Sequence, residues 1–335
     1  MGWNFVTSGR GEDRSMAEIE YRALGSSGLL VSTVGLGCNN FGRPGTPSQT
    51  QEGTNAVITA AIDAGITFFD TADIYGGERG LSEILMGNAL KGRRGEIVLA
   101  TKFGMDMAGV NGPNWGARGS RRYIRLAVES SLTRLQTDWI DLYQLHRPDG
   151  ITPIEETLAA LDELITEGKV RYIGHSNLSG WQIADAEYQA RLANHPRFIS
   201  AQNEYSLMAR KVEDEVLPAV REYELGFLPF FPLFNGLFTG KYSRRGGPAD
   251  GRLNARPEAL ARVPWDAMES YQAFCDERGI TMLAATLGWF LAQSSVSSVI
   301  AGATRPEQVV QNAEAGTAWR PTPEDVVAIS ELFPA

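Results

Sequence analysis

Residues 139–177 read WIDLYQLHRPDGITPIEETLAALDELITEGKVRYIGHSN, and this stretch indicates the fold. It begins with the apolar, β-rich run Trp139–His146 and ends with a second such run, Val170–Asn177. Between them, apolar residues recur at steps of three and four, as on the buried face of a helix: Ile154, Leu158, Leu161 and Ile165. Strand, helix and strand in this order predict two parallel strands joined by a crossover helix.

The sequence also predicts where that helix begins and ends. In Thr152-Pro153-Ile154-Glu155, Thr152 is expected as the N-cap, Pro153 as the first helical residue and Glu155 as the partner in a capping box. Gly168 provides the stop. Thr304-Arg305-Pro306-Glu307 has a similar beginning and predicts a further helix near the carboxyl terminus.

The same alternation continues through the chain. Eight β-rich runs are predicted, at Ser32–Cys38, Ile66–Thr71, Ile97–Lys102, Trp139–His146, Val170–Asn177, Phe198–Tyr205, Gly226–Leu233 and Ser297–Gly302. The other predicted helices are Thr50–Ala64, Gly80–Leu90, Arg121–Leu135, Gly180–Ala193, Val212–Glu224, Trp265–Arg278, Met282–Ala292 and Pro323–Leu332. This pattern predicts an α/β protein in which residues 21–335 form a single (β/α)8 barrel, with a Rossmann-type open sheet as the weaker alternative.

Three segments stand outside the alternation. Tyr21–Val31 predicts an N-terminal β-hairpin that turns at Gly25-Ser26-Ser27-Gly28. The segment 234–263, after the seventh strand, is rich in Gly, Arg and Pro, and a structureless loop of that length is usually functional. Residues 1–20 are expected to be a disordered or extended lead-in, because they have no signal-peptide hydrophobic region.

Composition excludes several classes of protein. The 335 residues hold 31 basic and 40 acidic side chains, so the net charge of −9 argues against nucleic acid as a partner. Two cysteines are too few for a disulfide framework or a cysteine zinc site. No apolar run reaches the ~18 residues of a membrane helix, so we expect a cytoplasmic protein without a membrane partner.

The ends of the predicted strands carry the chemistry, since barrel active sites lie at the carboxyl ends of the strands. Asp70, Lys102 and His146 end three consecutive strands, and Tyr75 follows the first of them. A neighbouring ammonium would stabilise tyrosinate, so Lys102 is expected to lower the pKa of Tyr75 below its usual value of ~10. Asp70 would pair with Lys102, and His146 could donate to a carbonyl oxygen or relay a proton.

These residues stand in motifs that resemble the aldo-keto reductase superfamily, and the resemblance extends from about Tyr21 to Leu332. The matching segments are FDTADIYG at 69–76, ATKFG at 100–104, LYQLHR at 142–147 and RYIGHSN at 171–177. The sequence is most similar to bacterial members that also resemble potassium-channel β subunits and plant alkaloid reductases. The resemblance implies an NADP-linked reductase whose substrate is a small carbonyl compound.

The resemblance also implies site residues. Tyr75 is implied as the general acid, and Asp70, Lys102 and His146 complete a tetrad. The implied NADP(H)-binding residues are Gly37, Cys38, Asn39, Ser176, Asn177, Gln202, Phe230, Pro232, Leu233, Gly236, Lys241, Arg252, Gly302, Thr304, Arg305, Gln308 and Asn312. Phe230 would stack on the nicotinamide, and Lys241 and Arg252 would fold over the cofactor. Arg305 at a helix N-terminus suits a 2′-phosphate, which favours NADPH over NADH.

The chain departs from the family pattern at His175, at Phe231 and at Cys38-Asn39. His175 is interpreted as a packed, hydrogen-bonded structural histidine, because no ligand spacing supports a metal site shared with His146, and no metal is expected. His195 is predicted in a surface turn.

Smaller hypotheses and two rival functions stay open at this point. Trp115 could line the substrate pocket or anchor its loop, and Asp73 and Glu78 are interpreted as solvated loop charges. One rival function is an NADPH-sensing partner protein with little turnover. The other is a metal-dependent barrel hydrolase.

Overall fold

The computed structural model describes residues 19–248, 251, 253–254 and 256–334. The strands are β1 (Tyr21–Ala23), β2 (Leu30–Ser32), β3 (Val34–Gly37), β4 (Phe68–Asp70), β5 (Val98–Phe103), β6 (Ile140–Leu145), β7 (Val170–Ser176), β8 (Ser200–Gln202), β9 (Gly226–Phe227) and β10 (Val299–Gly302). The helices are α1 (Gln51–Asp63), α2 (Leu81–Ala89), α3 (Arg121–Leu135), α4 (Ile154–Thr166), α5 (Gly180–Ala193), α6 (Val216–Glu222), α7 (Pro257–Ala261), α8 (Trp265–Glu277), α9 (Met282–Leu291), α10 (Pro306–Ala318) and α11 (Pro323–Leu332).

Strands β3 to β10 form one parallel sheet whose neighbours follow the chain order, with β10 returning to pair with β3. The remaining seam, between β9 and the segment before β10, is closed by a bridge from Phe227 to Val296. There the amide of Phe227 donates to the carbonyl of Ser295 over 2.7 Å, and the amide of Ser297 donates to the carbonyl of Phe227 over 3.0 Å. The predicted (β/α)8 barrel is confirmed. The open-sheet alternative is wrong, because an open sheet reverses its strand order and leaves two free edges.

The predicted N-terminal hairpin is confirmed, and it closes the amino end of the barrel. Strands β1 and β2 pair antiparallel. Leu24 and Val31 are fully buried against the inward side chains of the barrel strands, among them Phe68 and Leu142. The turn requires glycine at Gly25, whose φ is +61° and where a Cβ atom would lie 2.6 Å from the carbonyl oxygen of Glu224.

The starts of two helices differ in detail from the predicted pattern, and α4 lacks the expected capping box. Helix α4 begins at Ile154, and the Thr152 hydroxyl donates to Asp149 Oδ2 over 2.8 Å instead of capping it. Asp149 therefore orders the loop before the helix. Helix α10 begins at Pro306 with an extended Arg305 before it, as expected for a residue that precedes proline.

The segment 234–263 is less irregular than predicted. It contains a 3-10 helix at Phe234–Thr239, a tight turn at 243–246 and the short helix α7. Arg252 lies outside the described residues, as do residues 1–18 of the predicted lead-in. Within the described ranges, no helix is both long and apolar enough to cross a membrane.

Candidate active site

A buried ion pair lies at the carboxyl ends of β4 and β5. Lys102 Nζ donates to Asp70 Oδ2 over 2.6 Å and to the carbonyl of Thr71 over 2.8 Å. The amides of Gln144 and Gln202 donate to Asp70 Oδ1 over 3.2 and 2.9 Å. Burial acts to lower the pKa of Lys102, but Asp70 and Tyr75 overcome it and the pKa is raised. Lys102 is therefore held as an ammonium.

Tyr75 lies beside this pair, on the loop that follows β4. Lys102 Nζ is 5.1 Å from the centroid of the Tyr75 ring, and the ring of His146 meets that of Tyr75 edge-on at 5.8 Å. The expectation of a lowered tyrosine pKa is wrong for this structure. Burial raises the pKa of Tyr75 above 10, and the nearby Lys102 offsets this only in part. Tyr75 therefore carries its proton at neutral pH.

His146 is a neutral hydrogen-bond donor in this arrangement. Burial, followed by the charges of Lys102 and Arg147, lowers the pKa of His146 to about 3. Its backbone is fixed, since its amide donates to the carbonyl of Phe103 over 2.7 Å and its carbonyl accepts from Asn177 Nδ2 over 3.0 Å. A neutral imidazole carries one N–H, which can donate to an oxygen placed near Tyr75.

A cavity of about 990 Å³ opens above the tetrad at the carboxyl end of the barrel. Three of the predicted catalytic residues line it, namely Asp70, Tyr75 and His146, whereas Lys102 lies buried behind them. The predicted nucleotide-binding residues that line it are Gly37, Cys38, Asn39, Asn177, Gln202, Phe230, Pro232, Leu233, Gly236, Lys241, Gly302, Thr304, Arg305, Gln308 and Asn312. One cavity therefore brings together residues that are distant in the chain.

Ser176 is placed differently, since it is buried and does not line the cavity. Its hydroxyl accepts from Asn177 Nδ2 over 2.9 Å, so it supports the Asn177 side chain from below. Asn40, Arg147 and Gln311 line the cavity and were not predicted as site residues. Arg147 directly follows His146, and Gln311 lies three residues after Gln308 on α10. Their positions next to predicted residues are the signal that could have found them.

His175 and Cys38, two of the positions that depart from the family pattern, are both buried. His175 is fully buried, with its ring 5.2 Å from that of Phe198, so it is packed as predicted. In the part of the chain that the structure describes, neither of its ring nitrogens has a hydrogen-bond partner, so the hydrogen-bonded part of the prediction is wrong. Burial lowers the pKa of His175 to about 3. Burial also raises the pKa of the Cys38 thiol, which argues against a nucleophilic role.

The solvent exposure of His195, Trp115 and Glu78 tests what the sequence predicted for these side chains. His195 is partly buried, and its Nδ1 lies 2.8 Å from Asp162 Oδ2. Trp115 neither lines the cavity nor anchors its loop, because it is 78% exposed, with the guanidinium of Arg122 at 4.3 Å from its ring. Glu78 is exposed, as expected of a solvated charge.

The prediction that Asp73 is a solvated loop charge is wrong. Asp73 lies two residues before Tyr75 and is fully buried. Asn111 Nδ2 donates to Asp73 Oδ2 over 2.9 Å, and Asn111 Oδ1 accepts from Arg134 Nη1 over 2.9 Å. Arg134 Nε also donates to the buried Glu83 over 2.7 Å. Arg134 thus binds Glu83 directly and reaches Asp73 through Asn111. Burial, followed by the charge of Glu83, raises the pKa of Asp73 well above its usual range. This network ties the tyrosine loop to α2 and α3.

Comparison with known proteins gives consistent similarities. The family model described as the aldo/keto reductase family matches residues 33–333. A Glycine max protein named "Probable aldo-keto reductase 1" is 37% identical, over 96% of this chain and 90% of its own length. An uncharacterized oxidoreductase of Bacillus subtilis is 38% identical, over 87% of this chain and 89% of its own. A rice protein named "Probable voltage-gated potassium channel subunit beta" is 35% identical, over 89% of this chain and 91% of its own.

The buried network predicts how stability depends on pH. A raised pKa in the fold means that folded Asp73 keeps a proton that the unfolded chain releases above about pH 4, so the free energy of unfolding falls as pH rises. We expect the free energy of unfolding of the Asp73→Asn variant to increase relative to that of the wild type by up to about 1.4 kcal/mol per pH unit above that point. Urea unfolding between pH 4 and 8 measures the difference. Glu78→Gln, at an exposed carboxylate of the same loop, should show no such gain, and a flat difference for Asp73→Asn would contradict the protonated state.

Proposed function

The chain belongs to the aldo/keto reductase family, and we propose that it reduces an aldehyde or ketone to the alcohol with NADPH. The family supports oxidoreductase activity on carbonyl compounds. The observation that carries the finer proposal is the placement of Tyr75 and His146 on the wall of one cavity, with the Asp70–Lys102 pair directly behind them.

The residues of the cavity fit an extended dinucleotide. About 990 Å³ is at the upper end of the range for small-molecule sites. Opposite the tetrad, the N-terminus of α10 and Arg305 favour an anion. Gly236 has a φ of +87°, which favours glycine, and the end of the Lys241 side chain passes close over it, 2.8 Å from where a Cβ atom would lie. NADPH, when bound, supplies the hydride; Arg305 and Lys241 would hold its phosphates, and Phe230, Asn177 and Gln202 its nicotinamide.

Tyr75 is the proton donor in this proposal. Its phenol is protonated at neutral pH, so the O–H can transfer its proton to the carbonyl oxygen as that oxygen gains charge. The tyrosinate left behind is stabilised by Lys102, whose ammonium is fixed by Asp70. The N–H of neutral His146 donates to the same carbonyl oxygen and orients it toward Tyr75.

The preference for NADPH rests on Arg305 at the start of α10 and on Lys241 in the same cavity. A 2′-phosphate offers a guanidinium two charge-assisted hydrogen bonds, whereas a ribose hydroxyl offers neither charge nor a second acceptor. Arg305 and Lys241 both line the cavity. We therefore infer that both side chains bind the 2′-phosphate or its neighbours.

A second candidate function is a nucleotide-sensing partner subunit with little turnover, which the similarity to the rice channel β subunit favours. The complete set of Asp70, Tyr75, Lys102 and His146 weighs toward catalysis, since a sensor has no need of a proton donor. Capture of a partner that is released when NADPH is removed, together with no turnover on a panel of carbonyl compounds, would favour the sensor.

Replacing the proton donor should separate catalysis from binding. We expect Tyr75→Phe to lower kcat at least about 100-fold, because general acid catalysis is removed, while NADPH affinity stays within about twofold. Steady-state oxidation of NADPH and fluorescence titration measure the two quantities. Tyr188→Phe changes an exposed tyrosine on α5 in the same way and should leave both unchanged. Full activity of Tyr75→Phe would remove the tetrad from the mechanism.

The pH profile tests the protonation states of the two rings. With the pKa of His146 at about 3 and that of Tyr75 above 10, neither group titrates between pH 5 and 8. We expect kcat/KM for carbonyl reduction to be flat over that range and to fall only as Tyr75 loses its proton in alkaline solution. A break between pH 6 and 8 in the kinetics would contradict these protonation states for His146 and Tyr75.

The cofactor preference can be tested at Arg305. We expect Arg305→Gln to weaken NADPH binding about tenfold, since it removes a charge-assisted contact, and to change NADH binding by less than about twofold. Fluorescence titration with each nucleotide gives both dissociation constants. Arg221→Gln, at an exposed arginine of α6, is the matched control. An equal loss for both nucleotides would place Arg305 away from the 2′-phosphate.

A further inference from the structure

The charges around the tetrad do not sum to zero. Lys102 and Asp70 cancel one another, and Tyr75 and His146 are both neutral at neutral pH. The remaining charge on this part of the cavity wall is the guanidinium of Arg147. The proposed proton transfer gives Arg147 no task, so the presence of a cation here requires another explanation.

Arg147 is exposed, and no described acidic side chain forms an ion pair with it. The carboxylate nearest along the chain, Asp149, is fully engaged elsewhere. It accepts from the amides of Gly119, Ile151 and Thr152 and from the Thr152 hydroxyl. Arg147 is thus an uncompensated cation, and an anionic ligand can approach it without displacing a partner.

The backbone holds Arg147 at the rim of the site. The preceding residue is pinned on both sides through its hydrogen bonds to Phe103 and Asn177. The carbonyl oxygen of Arg147 lies close to Gly104, where a Cβ atom would be only 3.1 Å away. The guanidinium therefore extends from an anchored point beside His146, and its charge is close enough to contribute to the lowered pKa of that ring.

The same cavity also has an aromatic wall. Phe231 lines it with 43% of its surface exposed and meets the ring of Phe230 edge-on at 5.2 Å. Its φ of +55° is unusual for a non-glycine residue. A cavity lined by both an exposed aromatic surface and a guanidinium without an ion-pair partner suits a ligand with a flat apolar body and a carboxylate.

We propose that Arg147 binds a carboxylate of the substrate, so that the preferred substrates are aldehydes that combine an aromatic or apolar body with a carboxylate group. This inference rests on the proposed reductase function and names its substrate class. An arginine fork matches a carboxylate with two parallel hydrogen bonds, which fixes the substrate's orientation as well as its affinity. On a chain with a net charge of −9, a local cation in the cleft also determines where a small anion is attracted.

The test compares two aldehydes that differ only in charge, 4-carboxybenzaldehyde and its methyl ester. For the wild type with NADPH, we expect kcat/KM to be about tenfold higher for the acid, and this preference to shrink as ionic strength rises. Arg147→Gln should abolish the preference, and Arg147→Lys should retain part of it because the charge remains. Arg122→Gln removes an exposed arginine outside the cavity and should leave the preference intact.

Binding of the corresponding alcohols, 4-(hydroxymethyl)benzoate and its methyl ester, provides a readout that does not depend on turnover. Calorimetry is run with NADPH present, because the alcohol and NADPH are both in the reduced state and no hydride can pass between them. It should show tighter binding of the carboxylate to the wild type and no such difference in Arg147→Gln. If the wild type reduces the ester as well as the acid, the anion site is wrong and the reductase proposal stands. If neither aldehyde is reduced but the carboxylate still binds through Arg147, the reductase proposal is wrong and the anion site stands.

Discussion

The hydrogen bond from Lys102 to Asp70 is the constraint on which the rest of the site depends. A buried ammonium without a partner would cost several kcal/mol, so the charge can be kept in the barrel only where a carboxylate meets it. The barrel supplies that carboxylate from the neighbouring strand, and it supplies two glutamine amides from strands further round to satisfy the second oxygen of Asp70. Because Asp70 and its three side-chain donors come from four different strands, β4, β5, β6 and β8, the arrangement exists only when those strands have assembled into the sheet.

The sequence allowed most of this to be predicted, for a physical reason. Side chains alternate along a strand, so an ionisable residue at the end of an apolar run must face either the barrel axis or the helices, and Asp70, Lys102 and His146 all follow that rule. The hairpin and most helices were predictable from local chemistry as well. The roles of the site residues, and the single-domain span of 21–335, remain predictions.

Other features could not be predicted, because they depend on what surrounds a residue in three dimensions. The spacing of Tyr75 and Lys102 suggested a lowered phenol pKa, but the balance between burial and charge reverses the direction. In the sequence, Asp73 stands in a loop and suggests a solvated charge. Only the three-dimensional fold brings Asn111 into contact with Asp73 and Arg134 into contact with Asn111. The start of α4 was misplaced because the Thr152 hydroxyl finds Asp149 before it can cap the helix.

The seam between β9 and β10 has a mechanical consequence. Strands β5, β6 and β7 pair along most of their lengths; Lys102 lies on β5 and His146 directly follows β6. The seam is held by a short bridge at Phe227, and the chain that leaves it provides Phe230 and Lys241. Thermal breathing of the barrel will therefore concentrate on the side from β8 to β10, where the ladders are short. The wall that would bind and release the nucleotide can move while β5, β6 and β7 keep Lys102 and His146 in place.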